Sequence, residues 1–199
     1  MHEVEIQAST LPPPPDILSL IDDANKRIDE LIEARLDRPL TGFVPCEFGP
    51  VYNVLKTLAT TMDPRCFVEW GSGFGVVTMM ATRLGFDAAG IEIEQDLVQA
   101  AEELARDHMI DAEFVAGSFV PHVAQSLIDD VDWPNWLECG GADGHDLLDL
   151  DPRDIDLVFA YPWPGESHVI ESIFDMICES GSLLLTWNGI EETRLMRKT

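Results

Sequence analysis

The stretch FVEWGSGFG, Phe67 to Gly75, decides the fold of this chain. Cys66 to Trp70 is a short apolar run of strand type. It meets three glycines at alternate positions, Gly71, Gly73 and Gly75, with Ser72 between the first two. An apolar helical pattern, Val76 to Leu84, begins at once. A second strand pattern, Ala88 to Ile93, carries Glu92 near its end. Strand, glycine turn, helix, strand and acid together are the wiring of a nucleotide-type cofactor site. Glycine lets the backbone approach a ligand and take positive φ. The helix N-terminus points unpaired N–H groups into the same space. The acid can accept hydrogen bonds from two ribose hydroxyls.

The dinucleotide fingerprint is G-x-G-x-x-G, with a pyrophosphate on the helix N-terminus. Here the spacing is G-x-G-x-G, and Glu69 precedes it. An acid beside the loop repels a pyrophosphate and suits a ligand with a positive end. A nicotinamide-dependent dehydrogenase therefore fits poorly. The pattern E-x-G-x-G-x-G, with an acid about 20 residues beyond, resembles class I S-adenosylmethionine-dependent methyltransferases. The order continues to match. Gly90 to Ala101 looks like their second strand and following helix, and Ala112 to Phe119 like the third strand and its adenine-contacting turn. Asp154 to Glu166 looks like the fourth strand and the motif beside the methyl group, and Glu179 to Trp187 like the fifth strand. The resemblance implies an α/β fold: a doubly wound, mostly parallel, Rossmann-like sheet with N-terminal helices and a shortened C-terminal end. It implies S-adenosylmethionine as cofactor and methyl transfer as the activity.

The same resemblance distributes roles. Glu69 would meet the amino group of the methionine end, and Gly71, Ser72, Gly73 and Gly75 would pass beneath it. Glu92 would hold the ribose, Ile93 would lie on the adenine, and Gly117, Ser118 and Phe119 would edge it. Ala160 closes the fourth strand beside the methyl group. At Ser118 many members carry Asp, a stronger acceptor for the adenine amine. Tyr161 to Pro164, YPWP, resembles the [DN]-P-P-[YFW] motif of amino methyltransferases, with Tyr161 where the amide or acid would stand. Tyrosine accepts from an amine poorly, which argues against nucleobases as substrates. Trp163 is either a cation-contacting rim or packing for the loop above it. Tyr161, Glu166 and His168 are the candidate catalytic residues. Glu166 also reads as a helix N-terminal charge, and His168 as a helix-face residue. No G-x-S-x-G elbow is present to support a serine nucleophile.

At 199 residues and 46% hydrophobic content the chain reads as one domain with a single core. An N-terminal arm with helices (residues 1–62) is expected to pack on a Rossmann-like body (63–199). No apolar run is long enough to span a bilayer. The first residues lack a signal-peptide pattern, and the scattered cysteines read as reduced thiols, so a cytoplasmic location is expected. The net charge of −25 rests on 37 acids against 12 bases. Such a surface repels phosphate backbones, making nucleic acid an unlikely partner. It leaves a small molecule or a basic patch on a protein as the acceptor. A solubility adaptation explains the charge equally well.

Pro12 to Pro15 form a stiff extended segment, and Asp16 is placed to cap a helix from Ile17 to Leu36. A second helix is expected over Gly49 to Thr61. Phe43, Val44, Pro45, Phe48 and Tyr52 either cover the cofactor or pack on the sheet edge, and Glu47 stays open between the two. Strands are expected near 66–70, 88–93, 112–116, 156–160 and 182–187, with helices near 75–84, 95–108, 119–129 and 166–179. Val131 to Asp154 is an acidic insertion in which Trp133 and Trp136 pack on the body. Its aspartates and His145 lack calcium-loop spacing, so no metal is expected. The family usually ends in an antiparallel hairpin. Thr193 to Arg197 supplies one strand of it, which makes the chain a trimmed or truncated version. The bare edge invites a homodimer. The acceptor stays open between a small molecule and a protein side chain. Protein-lysine methylation is the runner-up, and a non-catalytic S-adenosylmethionine-binding interaction module is the alternative of another class.

Overall fold

The computed structural model describes residues 1–35, 43–62, 64–129, 140–188 and 193–199. Its strands are β1 (His2–Glu3), β2 (Cys66–Trp70), β3 (Asp87–Glu92), β4 (Glu113–Ala116), β5 (Leu157–Ala160), β6 (Leu183–Trp187) and β7 (Thr193–Arg197). They form a 7-stranded sheet in the order β1-β7-β6-β5-β2-β3-β4. The run from β6 to β4 is parallel, and β7 is antiparallel to both its neighbours. The expected strands all form, within one or two residues of their predicted ends.

Parallel strands covered on both faces carry apolar residues on both. Every residue of β5 and β6 is buried. One face packs against α1 (Pro15–Ala34), α2 (Phe48–Thr61), α3 (Val76–Arg83) and α4 (Gln95–Asp107). Leu55, Leu58, Met79, Met80 and Leu104 are wholly enclosed there. The other face packs against α7 (Ser167–Ile177) through Ile170, Ile173 and Phe174, and against Val120, Ala124 and Ile128. Among the described residues no helix is long and apolar enough to cross a membrane.

Several local expectations change. Asp16 does not cap α1. Pro14 occupies the cap, Pro15 opens the helix, and Asp16 lies in the first turn, where its charge favours the helix dipole. Leu36 lies outside the described residues, as do Trp133 and Trp136. The helix expected at 119–129 breaks into a 3-10 turn, His122–Ala124, and the short α5, Ser126–Asp129. Pro121 drives Val120 out of helical conformation, which delays the start. Part of the acidic insertion forms α6, Gly144–Leu147, capped by the Asp143 side chain.

The edge expected to be bare is covered. Thr193 to Arg197 pairs antiparallel with β6 as expected. The seventh strand is the chain's own start, since His2 and Glu3 pair with Arg197 and Met196. The Val4 N–H adds a bond of 2.8 Å to the Leu195 carbonyl. Two residues show no periodicity, so no sequence pattern announces them. The arm and the body thus share one sheet.

Gly75 holds the helical layer against the sheet. It caps α3 at φ 67°, and a Cβ there would collide with the Phe114 ring of β4. Gly75→Ala is therefore expected to cost about 3 kcal/mol, from left-handed strain plus overpacking. Gly71→Ala, at φ 74° with open space at the Cβ position, is expected to cost about 1 kcal/mol. Denaturant unfolding of both variants checks the ranking.

Candidate active site

The strand order reverses at β2, between β3 and β5. Ligands of open α/β sheets bind at such a switch point, beyond the carboxyl ends of the strands. A cavity lies there, and its walls include Glu69 and Trp70 of β2, Glu92 of β3 and Ala160 of β5. The turn after β2 is tied to β3, since the Gly71 and Ser72 N–H groups both donate to the Ile91 carbonyl, at 2.9 and 3.0 Å. Gly71, Gly73 and Gly75 all take positive φ. Ten of the residues expected at the cofactor line this one cavity: Glu69, Gly71, Ser72, Gly73, Glu92, Ile93, Gly117, Ser118, Phe119 and Ala160. Gly75 does not, because it faces Phe114 and Ala101 instead. Its glycine serves helix–strand contact, an arrangement invisible until Phe114 is placed.

Glu69 joins the strand to the helix. Its Oε2 accepts from the Thr78 N–H at 2.8 Å and the Thr78 hydroxyl at 2.6 Å. That N–H is one of the first-turn donors that α3 cannot satisfy internally. The side chain is buried, and burial pushes its carboxyl up to about 8 against the opposing Thr78 bonds, with Glu92 repulsion adding to the rise. A cation in the cavity stabilises the ionised form.

Glu92 is held by backbone groups. Gly73 N–H donates to Oε2 at 2.8 Å, and Glu94 N–H donates to Oε1 at 3.0 Å. Burial raises its pKa, and backbone bonds from Glu94, Gly73 and Ile93 oppose the rise. Each oxygen retains a further lone pair for a ligand hydroxyl.

Around Ile93, Gly117 and Phe119 the wall becomes flat and apolar. Phe119 stacks on Trp70 with ring centroids 5.2 Å apart and planes 7° from parallel. His145 also meets Trp70, edge-on at 6.0 Å. Its Nδ1 lies 3.3 Å from Asp143 Oδ1, and burial lowers its pKa. Ser118 accepts from Val120 N–H at 3.1 Å, so its hydroxyl is engaged in its own turn. Its backbone ties down the insertion through Ala142 and Gly144. Sequence reasoning missed Trp70 as a wall residue. An aromatic between Glu69 and Gly71 was the available signal.

The far wall follows β5. Tyr161, Pro162, Trp163 and Glu166 line it, and Glu166 is 5% exposed at the start of α7. His168 is exposed and absent from the lining, so the structure does not bring it to the site. From the N-terminal side Phe43, Val44, Pro45, Cys46 and Phe48 close the cavity. Phe43 stands 5.8 Å from Phe74, centroid to centroid, above Gly73. Both readings offered for this segment describe part of it: Phe43, Val44, Pro45 and Phe48 line the cavity, and Phe43 and Phe48 also pack on the core. Tyr52 is buried among core residues, and Glu47 is exposed.

Two features of the lining bear on the ligand. Among the described residues it holds four carboxyl groups, Glu69, Glu92, Glu94 and Glu166, and no lysine, arginine or histidine. Ser72 is also among the lining residues; its Oγ packs beside Gly90 of β3, buried and without a partner among the described residues. The described residues contain no group of three or more metal-ligating side chains.

Glu69 gives stability a pH dependence of definite sign. Its carboxyl titrates at an ordinary value of 4.5 when unfolded and at about 8 when folded. Folding thus favours the protonated form, and this contribution is full below the lower value and lost as pH rises through the upper one. The slope is at most about 1.4 kcal/mol per pH unit. Replacing the acid by Gln keeps an acceptor for Thr78 and removes the titration. Between about pH 5 and pH 8 the unfolding free energy of wild type is expected to fall relative to Glu69→Gln, as read by urea unfolding at each pH. A difference that does not vary with pH would contradict the assignment.

No family model matches the sequence, and no curated protein matches it. Solved structures do. A methyltransferase from Geobacter sulfurreducens is 15% identical and superposes with a TM-score of 0.58 over 96% of this chain and 93% of its own. An RNA methyltransferase from Salinibacter ruber, in complex with S-adenosylhomocysteine, is 21% identical, with a TM-score of 0.52 over 78% of this chain and 92% of its own. A methyltransferase from Podospora anserina, also bound to S-adenosylhomocysteine, is 10% identical, with a TM-score of 0.56 over 89% of this chain and 64% of its own. The chain has the Rossmann-like fold of class I S-adenosylmethionine-dependent methyltransferases.

Proposed function

We propose that the chain binds S-adenosylmethionine in this cavity and transfers its methyl group to a small molecule or a protein side chain. The observation that carries the reading is the lining. Four carboxyl groups and no base among the described residues, beside a glycine turn, suit a cationic, phosphate-free nucleoside. A dinucleotide pyrophosphate would face repulsion from every charged group on the walls.

The cofactor supplies an activated methyl on a sulfonium, and the protein's task is to bind and align. Glu69 sits to receive the ammonium of the methionine end. Glu92, anchored by Gly73 and Glu94, is oriented before any ribose arrives, which lowers the cost of ordering on binding. Phe119, braced on Trp70, gives the adenine a rigid edge. Tyr161 and Glu166 line the side left for the acceptor, where Glu166 is the candidate to take up a proton.

The Salinibacter neighbour is named for RNA. The net charge of −25 disfavours a polyanionic acceptor here, and so does a lining with no base among the described residues. The cytoplasmic location stays a proposal resting on the scattered cysteines.

Calorimetric titration with S-adenosylmethionine, S-adenosylhomocysteine and NAD tests the cofactor. Binding of the first two and not the third is expected. Glu92→Ala is expected to weaken that binding at least about tenfold, since charge-assisted bonds contribute about 1.5–3 kcal/mol each. NAD binding, or an unchanged affinity in the variant, would overturn the reading. Cofactor binding without methyl release to any acceptor would leave a non-catalytic binding module.

A further inference from the structure

The short helix α6 docks behind the flat wall of the cavity. The Ser118 N–H donates to the Ala142 carbonyl at 2.9 Å, and the Gly144 N–H donates to the Ser118 carbonyl at 2.8 Å. The approach leaves no room for side chains, since a Cβ on Gly117 would strike the Ala142 carbonyl and one on Gly144 would strike Ile91. α6 is thus fastened to the turn that carries Phe119. Within it His145 is only 1% exposed. Asp143 Oδ1 accepts from its backbone N–H at 2.9 Å and lies 3.3 Å from its Nδ1. The ring meets Trp70 edge-on, and Trp70 stacks on Phe119. A line of contacts therefore runs from Asp143 through His145 and Trp70 to the cavity wall.

These surroundings accept a neutral ring and not a charged one. A carboxylate only accepts, so Nδ1 carries the proton that faces Asp143. Nε2 is buried and without a partner among the described residues. In the neutral ring that costs one unused lone pair. An imidazolium would bring a second N–H to Nε2, with no acceptor there to meet it, and a buried unsatisfied donor is costly. Trp70 cannot serve, because its indole nitrogen is a donor, itself buried and unpartnered. Asp143 and Asp146 favour the cation, and burial outweighs them, so the ring titrates below its ordinary 6.5. The strands packed on α6 are β3 and β4. Their charged residues are Asp87, Glu92 and Glu113. Glu92 is turned to Gly73 and Glu94, and Asp87 and Glu113 open their strands at the far end of the sheet. A protonated His145 therefore gains most by leaving its seat for water, and α6 goes with it.

We propose that His145 is a positioning residue for the adenine wall: seated as a neutral ring it holds Trp70 and Phe119 in place, and on taking up a proton it releases α6 and loosens the cofactor. The proposal rests on the cofactor reading above. It makes the site responsive to mild acid through a side chain that does not line the cavity.

Hydrogen exchange over residues 117–119 and 142–148, read by mass spectrometry and corrected for intrinsic rates, tests the release. Between about pH 7.5 and about pH 5.5 the opening of these segments in wild type is expected to rise severalfold, toward a limit of about tenfold set by a ring that titrates normally once released. In His145→Phe, which keeps a ring and cannot titrate, the opening is expected not to change. His145→Leu, equally unable to titrate, takes its place should the Phe variant fail to fold. Calorimetry with S-adenosylhomocysteine at about pH 7.5 tests the coupling to the wall, and there His145→Ala is expected to weaken binding about fivefold and His145→Phe to recover most of the loss. Exchange in wild type that does not change with pH, an equal change in the untitratable variant, or wild-type affinity in His145→Ala would overturn the inference. If S-adenosylhomocysteine binds none of the proteins, the cofactor reading falls and the adenine role with it. If it binds all of them alike, only the role of His145 falls.

Discussion

The contact between Glu69 and Thr78 is the constraint on which the site depends. It pairs a strand-end carboxyl with the first turn of the following helix. Donors that α3 cannot satisfy itself are satisfied from β2, so the glycine turn between them is pulled tight. The tightness is what demands positive φ at Gly71, Gly73 and Gly75. It also leaves a buried carboxyl at the cavity wall whose ionisation is suppressed until a positive group arrives. One side chain thus joins β2 to the first turn of α3 and, in the function proposed, would also receive the ligand's charge. A structural acid at that position would not need to line a cavity, and this one does.

Glu92 extends the same logic one strand further. Its oxygens are held by backbone N–H groups of Gly73 and Glu94, one on each side of the site. The turn after β2 and the turn after β3 are therefore coupled through a single carboxylate. Preorganisation of this kind matters more than the number of bonds, because it removes ordering cost from the binding step.

How much of this was legible follows from what each feature needs. Glu69, the glycine turn and Glu92 were readable because the chemistry demands residue types at short, fixed spacings. The five parallel strands were readable because burial on both faces makes them continuous apolar runs. The packing of Gly75 was not readable, since its partner Phe114 is remote in sequence and only the fold brings the two together. His2 and Glu3 were read as part of an extended arm, because two residues carry no period, and β7 supplies the edge that orders them. His168 had the right chemistry and the wrong helix face. Trp70 is read best in three dimensions, where Phe119 from the turn after β4 and His145 from α6 both meet its ring. The covering role of Phe43 and Phe48 likewise depends on where α2 docks.

A buried carboxyl that is protonated before a cation binds against it gives up its proton on binding. The direct measurement is the number of protons released when S-adenosylhomocysteine binds at pH 7, read by calorimetry in two buffers of different ionisation enthalpy. Glu69, with a carboxyl that titrates at about 8 in the empty fold, is predicted to release about one proton to buffer as the ligand's ammonium takes its place. Glu69→Gln is predicted to release none. Binding without proton release in the wild-type protein, or equal release in both proteins, would contradict the assignment of Glu69 as the receptor for the ligand's positive end.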